Sequence, residues 1–232
     1  TVQYNDKELS SFFNGADHQP PHPLSSYREY VIPVMFRVLY CCSLRPQEVK
    51  HLKLSEVNLE DGPFFIEDSK RKKDRMVAMS PELLELCRKY DHLIQTVLPA
   101  REYFFQNPNG GPYRSAWIQQ NFYKCWKAAR ISFSQDYKLR VYDWRHNFAT
   151  RVNEKKDVMN LLPFLSTYMG HSSLEYTLIT PYSSVEILNI NRPRVYISTV
   201  LRLETIPIVR IAKVFRLKVF STSLSNISYI KT

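Results

Sequence analysis

The sequence predicts a mainly α-helical α+β domain that carries one small antiparallel sheet of three strands. Apolar residues recur at helical spacing through much of the chain, as in Val31, Val34, Met35, Val38, Leu39 and Cys42. Three short strand-like runs stand together, Val57-Asn58-Leu59-Glu60, Phe64-Phe65-Ile66-Glu67 and Arg75-Met76-Val77-Ala78-Met79. Strand-like and helix-like runs do not alternate in a βαβ rhythm, which argues against a doubly wound sheet.

Each element has a local cause. Asn5-Asp6 is a helix cap ahead of the amphipathic run Lys7 to Phe13, and Gly15 is placed to end that helix. Pro20, Pro21 and Pro23 make Asp17 to Ser26 a loop. Tyr27 to Cys42 is a buried helix with Pro33 expected in its first turn, where a missing N–H costs little. Pro46 starts another helix, so Arg45 stands at its entrance and Glu48 one turn on, with Val49 and Leu52 facing the core. Asp61-Gly62 turns the first strand into the second, and Ser69 to Asp74 turns the second into the third. Ser80-Pro81 opens a helix running towards Leu98. After the loop Asn107 to Pro112, a helix from Ser115 to Ala129 carries Trp117, Phe122 and Trp126, aromatics suited to a core. Two more helices follow, one from Tyr142 to about Asn153 and one from Val158 to Tyr168.

The totals are those of a globular chain. Of 232 residues, 44% are hydrophobic and 23% charged, enough for one large domain or two small ones. No apolar run is long enough to span a bilayer, and the first residues have no signal-peptide layout. The chain lacks an initiator Met, which suggests a fragment of something longer. Cys41, Cys42, Cys87 and Cys125 lack the paired spacing of a zinc site and read as buried, reduced thiols of a cytoplasmic protein. Net charge is +10, but Asn191 to Thr232 holds eight Lys/Arg against Glu204 alone, a net of +7. The remainder carries 10 − 7 = +3, so a polyanionic partner has to be argued from where charges sit.

Four polar stretches carry chemistry. They are Leu44-Arg45-Pro46-Gln47-Glu48, the basic turn Lys70-Arg71-Lys72-Lys73, the run Tyr142-Asp143-Trp144-Arg145-His146, and Met169-Gly170-His171-Ser172-Ser173. Each has a plain alternative: Arg45 as a surface helix cap, the basic turn as a solvated hairpin, Arg145 paired with Asp143, His171 capping a helix. Cleaving a phosphodiester needs cations on the non-bridging oxygens, an in-line nucleophile and an acid for the leaving oxygen. Arginine suits the first task because its planar fork donates two bonds to phosphate and stays charged.

Taken in series, these stretches resemble the catalytic domain of the tyrosine recombinases, the phage-integrase family, from about residue 5 to residue 177. The resemblance implies that family's fold and a set of roles. Arg45 and Arg145 would clamp the scissile phosphate, Lys70 would protonate the leaving 5′-oxygen, and His171 would hydrogen-bond a phosphate oxygen. Arg71, Lys72, Lys73 and His146 would contact DNA, and Glu48 would orient its neighbours. Tyr142 stands where the family usually has a histidine. The nucleophilic tyrosine should fall nine positions after His171, where this chain has Thr180; Tyr182, two further on, is the candidate nucleophile. The implied partner is double-stranded DNA, with self-association into a tetrameric synapse and no metal or nucleotide cofactor. The implied activity is site-specific recombination by a mobile-element integrase, with a catalytically inactive DNA-binding remnant as the alternative.

From Ser183 the resemblance ends. The tail is β-branched, nearly free of acids and without glycine. The expected division is therefore a catalytic domain at 1–182 and an atypical basic tail at 183–232. The abrupt change at Thr177–Pro181 predicts a shifted reading frame in the coding DNA.

Overall fold

The helix α1 (Asp6–Asp17) is fixed at its start by reciprocal bonds: Asn5 Oδ1 accepts from Glu8 N at 2.9 Å, and Glu8 Oε2 accepts from Asn5 N at 2.8 Å. The computed structural model describes residues 4–67, 74–131, 139–153 and 158–170. Gly15 does not end α1, as its sequence position suggested. It lies inside the helix, and a Cβ there would come within 2.8 Å of the Cys125 carbonyl oxygen. The missing side chain lets α1 approach α5 (Ser115–Ala128) closely.

The helix α2 (Arg28–Cys41) is buried along nearly its whole length and forms the centre of the domain. It begins after Tyr27, whose φ is +65°, so Pro33 lies in the helix interior rather than in the first turn. Arg37 Nη1 donates to the Pro33 carbonyl at 3.0 Å. The same guanidinium meets Asp17 at 2.6 and 2.8 Å and lies over the Phe13 ring, 5.0 Å from its centroid. That pairing balances the charge of a fully buried arginine.

Next come α3 (Pro46–His51), a 3-10 turn at Leu54–Glu56, and an antiparallel pair, β1 (Pro63–Ile66) with β2 (Arg75–Ala78). The sheet has two strands among the described residues, where the sequence suggested three. Val57 makes only an isolated bridge to Phe64. The cause is Asn58: its side-chain oxygen accepts from Glu60 N and Asp61 N, at 2.9 and 3.0 Å, and folds the chain into a turn where a strand would run on. In the ladder, Phe64 faces Val77 and Ile66 faces Arg75, and these four residues form the buried side. Phe65 and Met76 face outward.

The helix α4 (Pro81–Val97) starts as predicted, with Ser80 Oγ accepting from Leu83 N at 3.3 Å and Pro81 in the first turn. The helix α6 (Asp143–Asn153) is held by Trp144, which is 1% exposed. Its ring lies 4.8 Å from that of Phe12, 4.9 Å from Phe122, 5.6 Å from Tyr40 and 5.8 Å from Phe36. The helix α7 (Val158–Met169) closes the described chain, with Tyr168 stacked on Phe148 at 5.6 Å. All four cysteines are free and buried. No helix among the described residues is long and apolar enough to cross a membrane.

Candidate active site

The site is assembled where α3, β2, α6 and α7 meet. Arg45 caps α3 in an extended conformation, and its amide donates to Glu48 Oε2 at 2.6 Å. Its Nη1 donates to Glu48 Oε1 at 2.7 Å, and its Nη2 to the Gly170 carbonyl at 2.9 Å. The Arg45 side chain is 28% exposed and uses two of its five N–H groups in these bonds, so an anion from solvent can reach it.

Arg145 follows Trp144 on α6, so the aromatic core fixes where its guanidinium emerges. It does not pair with Asp143, whose carboxylate instead accepts from Arg140 N at 3.0 Å. Arg145 Nη1 donates to the Ser43 carbonyl at 2.6 Å and Nη2 to the Met169 carbonyl. Its Nε is buried with no partner among the described residues. Arg145 is 2% exposed. Burial, followed by the charges of Arg45 and Arg75, displaces its ionisation downward, while Glu48 opposes that.

A third guanidinium completes the cluster, and the sequence reading missed it. Arg75 donates from Nε to the Tyr168 carbonyl at 3.0 Å and from Nη2 to Glu48 Oε2 at 2.9 Å. The three successive carbonyls at the end of α7, from Tyr168, Met169 and Gly170, thus each accept from a different arginine. Cations suit this position because a helix ends on unsatisfied carbonyls with partial negative charge. Glu48 is the acid that holds the cluster. Burial would raise its carboxyl, but the hydrogen bond and charge of Arg75, and then those of Arg45, hold it below the usual carboxylate range.

The chain leaves α7 through Gly170, with φ at +63°. A Cβ there would lie 3.0 Å from Arg75 Nη1, so both the backbone and the guanidinium demand glycine. Tyr142 is 44% exposed at the start of α6, its ring edge-to-face with that of His146 at 5.5 Å. His146 is half-buried, and burial displaces its imidazole towards the neutral form against the pull of Asp143. Of the predicted site residues, Arg45, Arg145, Tyr142 and His146 lie among the described residues, and Arg45 and Arg145 meet around Glu48 and the end of α7. Lys70, Arg71, Lys72, Lys73, His171, Thr180 and Tyr182 lie outside the described residues. Arg75 did carry a signal: it shares a strand face with Val77, and a cation at an apolar-facing position needs a buried acid.

Comparison with known proteins bears on the family and the fold. A model of the phage integrase family matches residues 7–186. The chain is 28% identical over 152 residues to a "probable integrase/recombinase protein" of Methanocaldococcus jannaschii, an alignment covering 65% of this chain and 45% of that one. It is 26% identical over 149 residues to a tyrosine recombinase of Agathobacter rectalis, covering 64% and 46%. The chain thus spans about half the length of these curated relatives. Among solved structures, XerA recombinase superposes with a TM-score of 0.64 at 22% identity, covering 81% of this chain and 61% of that one. XerH recombinase bound to its difH substrate gives 0.65 at 21%, covering 81% and 52%. The arginine cluster, the match across residues 7–186 and the shared architecture lead to one conclusion: the chain belongs to the phage integrase family and has the fold of a tyrosine recombinase catalytic domain.

Proposed function

We propose that this chain supplies the catalytic domain of a site-specific DNA recombinase of a mobile element. The observation that carries this is the meeting of Arg45 and Arg145, 100 residues apart in sequence, at one helix end, on the successive Gly170 and Met169 carbonyls. Arg45 offers the remaining N–H groups of a partly exposed guanidinium to a phosphate, and Arg145 stands behind it as buried charge. In the proposed reaction the Tyr182 hydroxyl gives its proton to solvent, and its oxygen bonds to phosphorus as the bond to the 5′-oxygen breaks. Lys70 supplies the proton that the leaving oxygen takes up, and His171 donates to a phosphate oxygen. A 3′-phosphotyrosine and a free 5′-hydroxyl result, and the reverse steps join a new strand. Arg71, Lys72, Lys73 and His146 are assigned to DNA contact, and two or more copies to the synapse. The domain is taken to end at 182, ahead of a separate tail at 183–232.

Duplex binding tests the phosphate clamp. Arg45→Ala should weaken binding across sequences and lower the salt slope by about one. Unchanged affinity and slope would remove Arg45 from the DNA surface. A second reading has one observation in its favour, Thr180 at the position of the expected nucleophile. On that reading the chain binds DNA without cleaving it. The two readings part on whether a covalent DNA adduct forms.

A further inference from the structure

We propose that Arg75 is a positioning residue of the phosphate site: it ties Glu48 to the end of α7 and so sets where Arg45 stands. The inference rests on the phosphate-clamp reading of Arg45 given above. Arg75 is 7% exposed, which leaves it to act through neighbours. Its two bonds join three elements, from β2 to Glu48 on α3 and to Tyr168 on α7. Glu48 is therefore shared. One oxygen takes Arg45 Nη1, and the other takes the Arg45 amide together with Arg75 Nη2. With three guanidinium groups and one carboxylate, the cluster keeps a net charge of 3 − 1 = +2 for an incoming anion. Without Arg75 the charge falls to +1, and Glu48 is left to neutralise Arg45 alone. The Tyr168 carbonyl also loses its donor, and Gly170, whose carbonyl holds Arg45, is freed from the guanidinium packed against it. A lysine at 75 restores the charge but brings a single ammonium on a flexible stem, which does not reproduce a planar fork spanning two elements.

The test compares the full chain with Arg75→Lys and Gly170→Ala. Orthovanadate affinity reports the anion site, because a mimic of five-coordinate phosphorus binds best to a site set for the transition state. Covalent capture of a nicked duplex reports cleavage rate, and gel shift reports duplex affinity. Arg75→Lys should weaken vanadate binding and slow adduct formation by about 10- to 100-fold, as expected for a displaced clamp. Its duplex affinity should stay within about twofold, since phosphate charge is conserved. Gly170→Ala, which drives a methyl towards the same guanidinium, should give the same split and serves if the lysine variant fails to fold. Wild-type vanadate affinity in either folded variant overturns the inference while leaving the cleavage proposal intact. If the wild-type chain forms no adduct, the cleavage proposal fails and vanadate alone decides: a loss in the variants supports a positioning role, and equality overturns it. A wild-type chain that does not bind vanadate overturns it outright.

Discussion

Replacing Glu48 with glutamine removes the acid on which Arg45 and Arg75 converge. The carboxylate is 13% exposed and accepts three hydrogen bonds, from Arg45 N, Arg45 Nη1 and Arg75 Nη2. Charge-assisted bonds contribute about 1.5–3 kcal/mol each, and removing one partner of a buried pair costs about 3–5 kcal/mol. Glutamine keeps one carbonyl oxygen but turns an NH₂ towards guanidinium donors, so a loss of about 3 kcal/mol at pH 7 is expected. Urea unfolding at a series of pH values measures it. Because the folded-state carboxyl is held below its ordinary range, its stabilising contribution is complete above the unfolded value of about 4.3. That contribution is lost as pH falls through the folded value, so wild type and Glu48→Gln should converge in acid. A gap below about 1 kcal/mol at neutral pH, or one that does not narrow in acid, would refute the assignment of Glu48 as the charge that holds the cluster.

Other consequences are more local. Gly15→Ala should destabilise the fold by about 1–3 kcal/mol, because the new methyl meets a backbone oxygen at 2.8 Å; thermal unfolding checks this. Trp144→Ala should cost about 3–5 kcal/mol in the same assay, since the ring is 1% exposed and packs against Phe12, Phe36, Tyr40 and Phe122. Burial pushes the Cys41 and Cys125 thiols up to about 12 and raises Cys42 and Cys87 as well. A disulfide reagent at pH 8 should therefore label the folded chain hardly at all and the urea-unfolded chain at all four thiols.

What the sequence made legible follows from how local each cause was. Asn5, Pro46 and Ser80 mark helix starts because a cap or a first-turn proline acts within one turn, and all three stand at helix starts in the structure. Gly15 and Pro33 were misread because their places depend on partners. Gly15 faces α5 across a helix contact, and Pro33 became interior when α2 began at Arg28. The run at Val57 alternates like a strand, yet the Asn58 side chain bonds its own neighbours and turns the chain. Arg45, Glu48 and Arg145 could be picked out because four motifs fall in one order. Arg75 was missed: its one local signal, a strand face shared with Val77, stands beside a run of cations and does not name Glu48 and Tyr168, which the fold brings to it from elsewhere.

The most direct test of the central claim is covalent capture. The chain is incubated with a nicked duplex carrying the end of its element, denatured, and any DNA-linked peptide is mapped. An adduct on Tyr182, lost in Arg145→Ala, is the predicted result and would establish phosphotyrosine chemistry at this site. DNA binding without an adduct would contradict it, and would mark a DNA-binding relative whose nucleophile is missing.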